Sequence, residues 1–294
     1  MTSPFPLLRL PRLVLREVFR SLNIGEKIQL SLCSKKISTQ ISNDRLYSEK
    51  VIVSLDMINQ GIRVHFEYDK DAFKVFIDLD IWEINYSNSG RNRQEGFLSV
   101  IRHLLKMFQC RISTDISTQN SYFYEPIISE LLDQQVKFKA LNIVLDGSKD
   151  QNLLWNQISS NFGLVENLKV LSNTTNSGFR PVFTSWPQNI TIRSSYWFTL
   201  EYLLACTCQR ITLGMSDLEN KDLDEVLKKW KAGRFLNLEY LYVGSHNITT
   251  DRTTILGMNP LELRGVVIQT DDGSKKATIK LTPFWIEMDV IPFK

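Results

Sequence analysis

Few residues in this chain could carry chemistry, and their spacing argues against most of it. There are three histidines, His65, His103 and His246, and four cysteines, Cys33, Cys110, Cys206 and Cys208. Cys206-Thr207-Cys208 comes nearest to a ligand pair. A tetrahedral zinc site asks for wider Cys spacing and a second Cys or His pair. Neither is present, and Cys208 falls on a position that reads as apolar core. Cys33 has no predicted base beside it to make it a nucleophile. His65 lies in a strand-like stretch, His103 on a helix among apolar neighbours, and His246 at a polar repeat position, so all three read as structural. The chain has no G-x-x-x-x-G-K-[ST], G-x-G-x-x-G, H-E-x-x-H or G-x-S-x-G motif. No spacing pairs two carboxylates for acid–base work. The sequence therefore implies no metal, no cofactor and no catalysis. A hydrolase would need the fold to bring a histidine beside a serine, cysteine or carboxylate in a deep pocket.

The bulk properties fit a binding protein. The 294 residues allow one large or two ordinary domains, and 43% hydrophobic content is ample for a core. A net charge of +3 lacks the basic excess of a dedicated nucleic-acid binder. The cysteines are too sparse for a disulfide scaffold. Met1-Thr2-Ser3-Pro4-Phe5-Pro6, without a basic start and broken by prolines, does not read as a signal peptide, and no apolar run approaches membrane-spanning length. The expected location is cytoplasmic or nuclear, with neither nucleic acid nor membrane as partner.

The elements that must position any binding residues begin at the N-terminus. Pro11 fits the first position of a helix carrying Val14/Leu15, Val18/Phe19 and Leu22 on one stripe. Asn23-Ile24-Gly25 reads as a break. A second helix follows over Glu26 to Ser34, and a third starts near Ser34-Lys35-Lys36 with Ile37 and Ile41. Three short helices this apolar leave surface for a partner to cover. The run from Leu10-Pro11 to Leu22, with Leu32-Cys33-Ser34-Lys35-Lys36, resembles an F-box; Ile37 stands where many F-boxes carry tryptophan. That resemblance implies docking onto a Skp-type adaptor, and through it a cullin, with Leu10, Pro11, Val14, Leu15 and Val18 as adaptor anchors.

Next comes a hairpin, Ile62 to Tyr68 and Phe73 to Leu79 around Asp69-Lys70-Asp71. Asn85 to Arg93 reads as a loop, and Glu95 to Phe108 as a helix. A weak repeat follows, apolar-x-x-apolar-x-apolar-x-x-polar. Four stretches fit it well: Phe138/Leu141/Ile143/Asp146, Val165/Leu168/Val170/Asn173, Cys208/Ile211/Leu213/Ser216 and Leu238/Leu241/Val243/His246. Pro187/Ile190/Ile192/Ser195 fits with a poor first site, and Met107/Cys110/Ile112/Asp115 is a possible earlier unit. The intervals mostly match the roughly 20–29 residues of leucine-rich repeats. Helical stretches lie between, the clearest being Asn220 to Ala232 before Gly233.

Val266 to Thr270 and Ala277 to Leu281 form a last hairpin around Asp271-Asp272-Gly273-Ser274, and Phe284, Trp285, Ile286, Val290 and Phe293 are expected to cap the array. Leu238-Glu239-Tyr240-Leu241 and Asp272-Gly273-Ser274-Lys275-Lys276-Ala277-Thr278-Ile279 resemble the F-box-associated (type 2) domain of a nematode-expanded F-box family. The expected fold is α+β/α/β: a three-helix F-box over 1–48, then an irregular leucine-rich-repeat-like solenoid over 49–294. Its repeats would span about 105–250, with the hairpin and cap at 260–294. The residue between the two central apolar sites of each repeat points away from the core. Asn142, Lys169, Thr191, Thr212 and Tyr242 hold that place, and they form the candidate site for an unknown target protein. The expected function is a non-catalytic substrate receptor of a ubiquitin ligase. The alternative is a scaffold outside ubiquitin chemistry, whose N-terminal helices only cap the repeats.

Overall fold

A computed structural model describes residues 7–43, 51–56, 61–67, 72–76, 89–114, 121–145, 155–172, 181–250 and 253–292. The chain divides into two compact units, Met1–Glu130 and Leu131–Lys294. The expected turn at 69–71, Leu153-Leu154, the repeat positions Asp146 and Asn173, and Phe293 lie outside the described residues.

The first unit opens with a 3-10 turn, Leu7–Arg9, and the helices α1 (Arg12–Ser21), α2 (Ile24–Cys33) and α3 (Lys35–Asn43). Pro11 is the N-cap of α1 rather than its first helical residue. The expected break at Asn23-Ile24-Gly25 is instead the start of α2. Asn23 Oδ1 accepts from the Glu26 N–H (2.9 Å) and Glu26 Oε2 accepts from the Asn23 N–H (2.8 Å). This reciprocal cap satisfies two donors that a helix N-terminus otherwise leaves open. Strands β1 (Val51–Asp56), β2 (Gly61–Phe66) and β3 (Ala72–Phe76) form an antiparallel meander, so the expected hairpin is present. Helix α4 (Ser89–Phe108) starts inside the stretch read as a loop, since 89–93 are helical; 85–88 lie outside the described residues. Strand β4 (Arg111–Thr114) pairs parallel with β1, Val53 opposite Ile112. Ile112, a possible first repeat position, lies in β4, and the strands of this unit run in the order β4-β1-β2-β3.

Helix α5 (Ser121–Asp133) has no counterpart in the sequence reading. Pro126 inside it reads as a breaker. Ile127, Ile128, Leu131 and Leu132 nevertheless form a buried helical stripe.

The second unit carries a large sheet ordered β10-β11-β12-β9-β8-β7-β6-β5. Its first five strands are β5 (Phe138–Leu145), β6 (Val165–Ser172), β7 (Asn189–Ile192), β8 (Arg210–Leu213) and β9 (Tyr240–Gly244), all mutually parallel. Strands β10 (Val267–Gln269), β11 (Lys275–Thr282) and β12 (Trp285–Pro292) are antiparallel. The repeat positions aligned in sequence are Cα partners here. Leu141, Leu168, Ile190, Ile211 and Leu241 form one buried ladder; Ile143, Val170, Ile192, Leu213 and Val243 form the next. Helices α6 (Leu200–Ala205) and α7 (Asn220–Lys231) lie in the connections and bury Leu203, Leu223, Val226, Leu227 and Trp230. Gly233, at φ +80°, ends α7 in the left-handed conformation that glycine adopts without strain.

Two details depart from the repeat template. In the last repeat Ser245 is buried and His246 is exposed, so the inward polar place belongs to Ser245. And Trp285 to Pro292, in the stretch expected to cap the array, is a full strand inserted between β9 and β11. It supplies the backbone partners that β9 would otherwise leave at an open edge.

Candidate interaction surfaces

Helix α1 presents an apolar ridge. Leu13 is 76% and Val14 46% exposed, Pro11 is exposed, and Leu10 and Val18 are half-buried. Leu15 is only 5% exposed and lies with Phe19 in the unit's own core. Of the five expected anchors, Leu15 is therefore closed to a partner in this conformation. Leu13, which the helical stripe did not single out, and Leu32 of the F-box-like run, 69% exposed on α2, are further open positions. The stripe marks which residues face a core, and Leu13 lies off it.

Behind the ridge, Ser31 of α2 meets His103 of α4 at 2.9 Å, and the Ser42 hydroxyl of α3 donates to the Lys106 carbonyl at 3.0 Å. The Ser31 hydrogen goes to the Ile28 carbonyl (2.7 Å), which can only accept, so His103 Nε2–H donates to Ser31. Lys27 is buried in the first turns of α2, with its ammonium on the Leu22 carbonyl. Burial pulls it down to about 8, against the opposing pull of Glu26.

A second serine–histidine contact joins Ser54 and His65 at 2.9 Å. His65 Nδ1 donates to the Phe66 carbonyl (2.8 Å), and its Nε2 accepts from Ser54. Both serines are buried, and among the described residues no carboxylate bonds the second nitrogen of either histidine. Each contact is a hydrogen bond between a histidine and a buried serine. Among the described residues no cluster of His, Cys, Asp or Glu could hold a metal, and no helix is long and apolar enough to cross a membrane. Cys206 and Cys208 are both buried free thiols.

In the second unit the five expected target-binding positions fall on one line. Asn142 is opposite Lys169, Lys169 opposite Thr191, Thr191 opposite Thr212, and Thr212 opposite Tyr242. Tyr242 is then opposite Glu287, and Glu287 opposite Lys280. A parallel row one pleat away runs Ala140, Asn167, Asn189, Arg210, Tyr240 and Asp289. Asn189 Nδ2 donates to Asn167 Oδ1 (3.0 Å), which fixes the side chains across two strands. The Arg210 guanidinium lies 4.5 Å over the Tyr240 ring, and Tyr242 stacks on Trp285 at 6.0 Å. Burial first, then the carboxylates of Glu287 and Asp289, push the Tyr240 phenol up. Lys280 bridges Glu287 (2.8 Å) and Asp289 (3.4 Å). Arg210, Tyr240 and Trp285 complete this face but were not among the expected residues. Strand alternation places Arg210 and Tyr240 beside Thr212 and Tyr242; Trp285 needed β12 to be known as a strand.

Comparison with known families matches two segments of the chain. The F-box domain model matches residues 7–49, and the model described as F-box associated matches residues 179–243. The chain carries an F-box and an F-box-associated region. The F-box covers α1 to α3, and the matched part of the F-box-associated region holds β7, β8 and most of β9, with Leu238 to Leu241 inside it and Asp272 to Ile279 beyond it. A similar protein is the uncharacterized protein F59B2.8 of Caenorhabditis elegans, 20% identical over an alignment covering 84% of this chain, which fits the nematode-expanded family. The match spans 62% of that relative's length, less than two thirds. No solved structure matches the chain.

Proposed function

We propose that this protein is the substrate-recognition subunit of a Skp–cullin–F-box ubiquitin ligase and performs no chemistry itself. The observation that carries this reading is the exposed ridge of Pro11, Leu13 and Val14 inside the segment that matches an F-box. F-box domains bind Skp-type adaptors, and an uncovered apolar helix face is the kind of surface such a partner buries. We assign residues 1–48 to the F-box and 49–294 to the F-box-associated part. Its parallel ladders support the leucine-rich-repeat-like reading, with the row from Asn142 to Tyr242 turned to a target. Holding adaptor and target on one chain brings the target's lysines to a charged conjugating enzyme, and the gain is effective concentration.

The test is capture of a purified Skp-type adaptor by the full chain. The double variant Leu10→Ala/Pro11→Ala is expected to lose capture; unchanged capture refutes the assignment.

The scaffold alternative draws on a specific observation: Ser31–His103 and Ser42–Lys106 bind α2 and α3 to α4, so the N-terminal helices are an integral part of their own unit. It predicts a full chain that is a well-behaved monomer without the adaptor. The ligase reading predicts that the lone chain self-associates through its bare ridge.

A further inference from the structure

The sheet face that carries the target row has an uneven charge. On β6 to β9 and the residue following β7, the outward side chains are Asn167, Lys169 and Leu171, then Asn189, Thr191 and Arg193, then Arg210 and Thr212, then Tyr240 and Tyr242. Lys169, Arg193 and Arg210 are all exposed, and no carboxylate stands among these residues. Of the bordering acids, Glu166, Glu287 and Asp289 are engaged, and Glu239, beside Tyr240, is exposed. Glu166 holds Lys139 at 2.6 Å, and Glu287 and Asp289 share Lys280. Among the described residues none of the three cations forms a salt bridge; Arg210 instead lies over the Tyr240 ring.

From strand spacing and pleat, the three cations stand about 8 to 14 Å apart. An extended chain places alternate side chains about 7 Å apart, so acidic residues two to four positions apart can reach them. Next to them the half-exposed Tyr242–Trp285 stack offers an aromatic platform of the sort that anchors interfaces. Resting on the reading of this face as the target site, we infer that it takes an extended acidic segment of a target protein. Asp and Glu side chains lie on Lys169, Arg193 and Arg210, and an apolar side chain lies on Tyr242 and Trp285. Fixed cations facing an acidic partner set orientation and on-rate, and they make binding salt-dependent.

The test selects a random peptide library on the immobilised full chain and measures the winners by fluorescence anisotropy. Expected are peptides rich in Asp and Glu with an aromatic or aliphatic residue. Their affinity should fall steeply as salt is raised. The variant Lys169→Glu/Arg193→Glu/Arg210→Glu, whose sites are all exposed, should weaken them at least about tenfold with unchanged melting. Neutral or basic winners, salt-insensitive binding, or full binding by the charge-reversed variant would each overturn the inference, as would the absence of any winner. Salt titration of the unmodified chain decides the matter if the variant does not fold. Adaptor capture is read separately. Its loss alongside retained acidic-peptide binding would remove the ligase reading and leave this one standing.

Discussion

His103 of α4 donates to Ser31 of α2 across 2.9 Å, so the F-box helices are tied to α4 by a neutral imidazole. Burial first, and Lys106 second, hold His103 below its ordinary value of 6.5. With the folded value below the unfolded one, protonation favours the unfolded chain. Stability is complete above the unfolded value and is lost as pH falls from about 6.5 through the folded value. Melting of the full chain is expected to drop between pH 7 and pH 5. His103→Gln, which keeps a donor but cannot titrate, should flatten that slope. A slope unchanged in the variant would assign the pH dependence elsewhere.

Gly25 is buried in the first turn of α2, where a Cβ would run into the Phe73 ring of β3. Gly25→Ala must displace that ring, at a cost of about 1–3 kcal/mol by analogy with overpacked cores. The paired variant Gly25→Ala/Phe73→Leu should recover part of the loss, because the two residues share one space. Urea denaturation measures both. Additive effects would show that Phe73 is not what Gly25 makes room for.

The parallel sheet was readable in the sequence because one physical rule governs it. Apolar sites at Leu141, Leu168, Ile190, Ile211 and Leu241 had to share a core, and they are partners in it. The same alternation turned Asn142 through Tyr242 outward. Elements held by longer-range pairing were harder to see. β12 is placed by β9 and β11, and no local pattern shows that Trp285 to Pro292 inserts between them. α5 was hidden by Pro126, whose local penalty is outweighed by burial of Ile127, Leu131 and Leu132. The slip from Ser245 to His246 is one residue, which is enough to exchange inside for outside. On α1 the stripe grouped Leu15 with the anchors, because periodicity identifies an apolar face without saying which body covers it.

Ser195 shows how the repeats are closed at the ends of their strands. Its N–H and hydroxyl both donate to the Gly214 carbonyl, at 2.8 and 2.9 Å, and its side chain is buried. Ser195→Ala removes one of two bonds to that oxygen and leaves no charge stranded. The expected loss is about 1 kcal/mol, the ordinary net worth of such a bond. Ser195→Val keeps the loss and adds crowding, so it should cost more. Equal stability of Ser195→Ala and the parent chain would show that the backbone bond alone holds the turn.

Val14 and Leu15 are neighbours on α1 with opposite surroundings, 46% and 5% exposed. That contrast separates an adaptor contact from a core contact. Val14→Asp puts a charge where water already reaches, so the fold should lose at most about 0.5 kcal/mol, as surface substitutions do. On the proposed reading it nonetheless abolishes adaptor capture, since the charge would be buried unpaired in the complex. Leu15→Ala leaves the ridge chemically intact but opens a cavity under it, at a cost of about 2–5 kcal/mol. Its adaptor capture should fail only in proportion to unfolding and recover when the variant is assayed well below its melting temperature. Melting and capture measured on both variants give a crossed pattern if the ridge is the docking surface. If Leu15→Ala loses capture while still folded, and Val14→Asp does not, the helix must turn its buried side outward to bind.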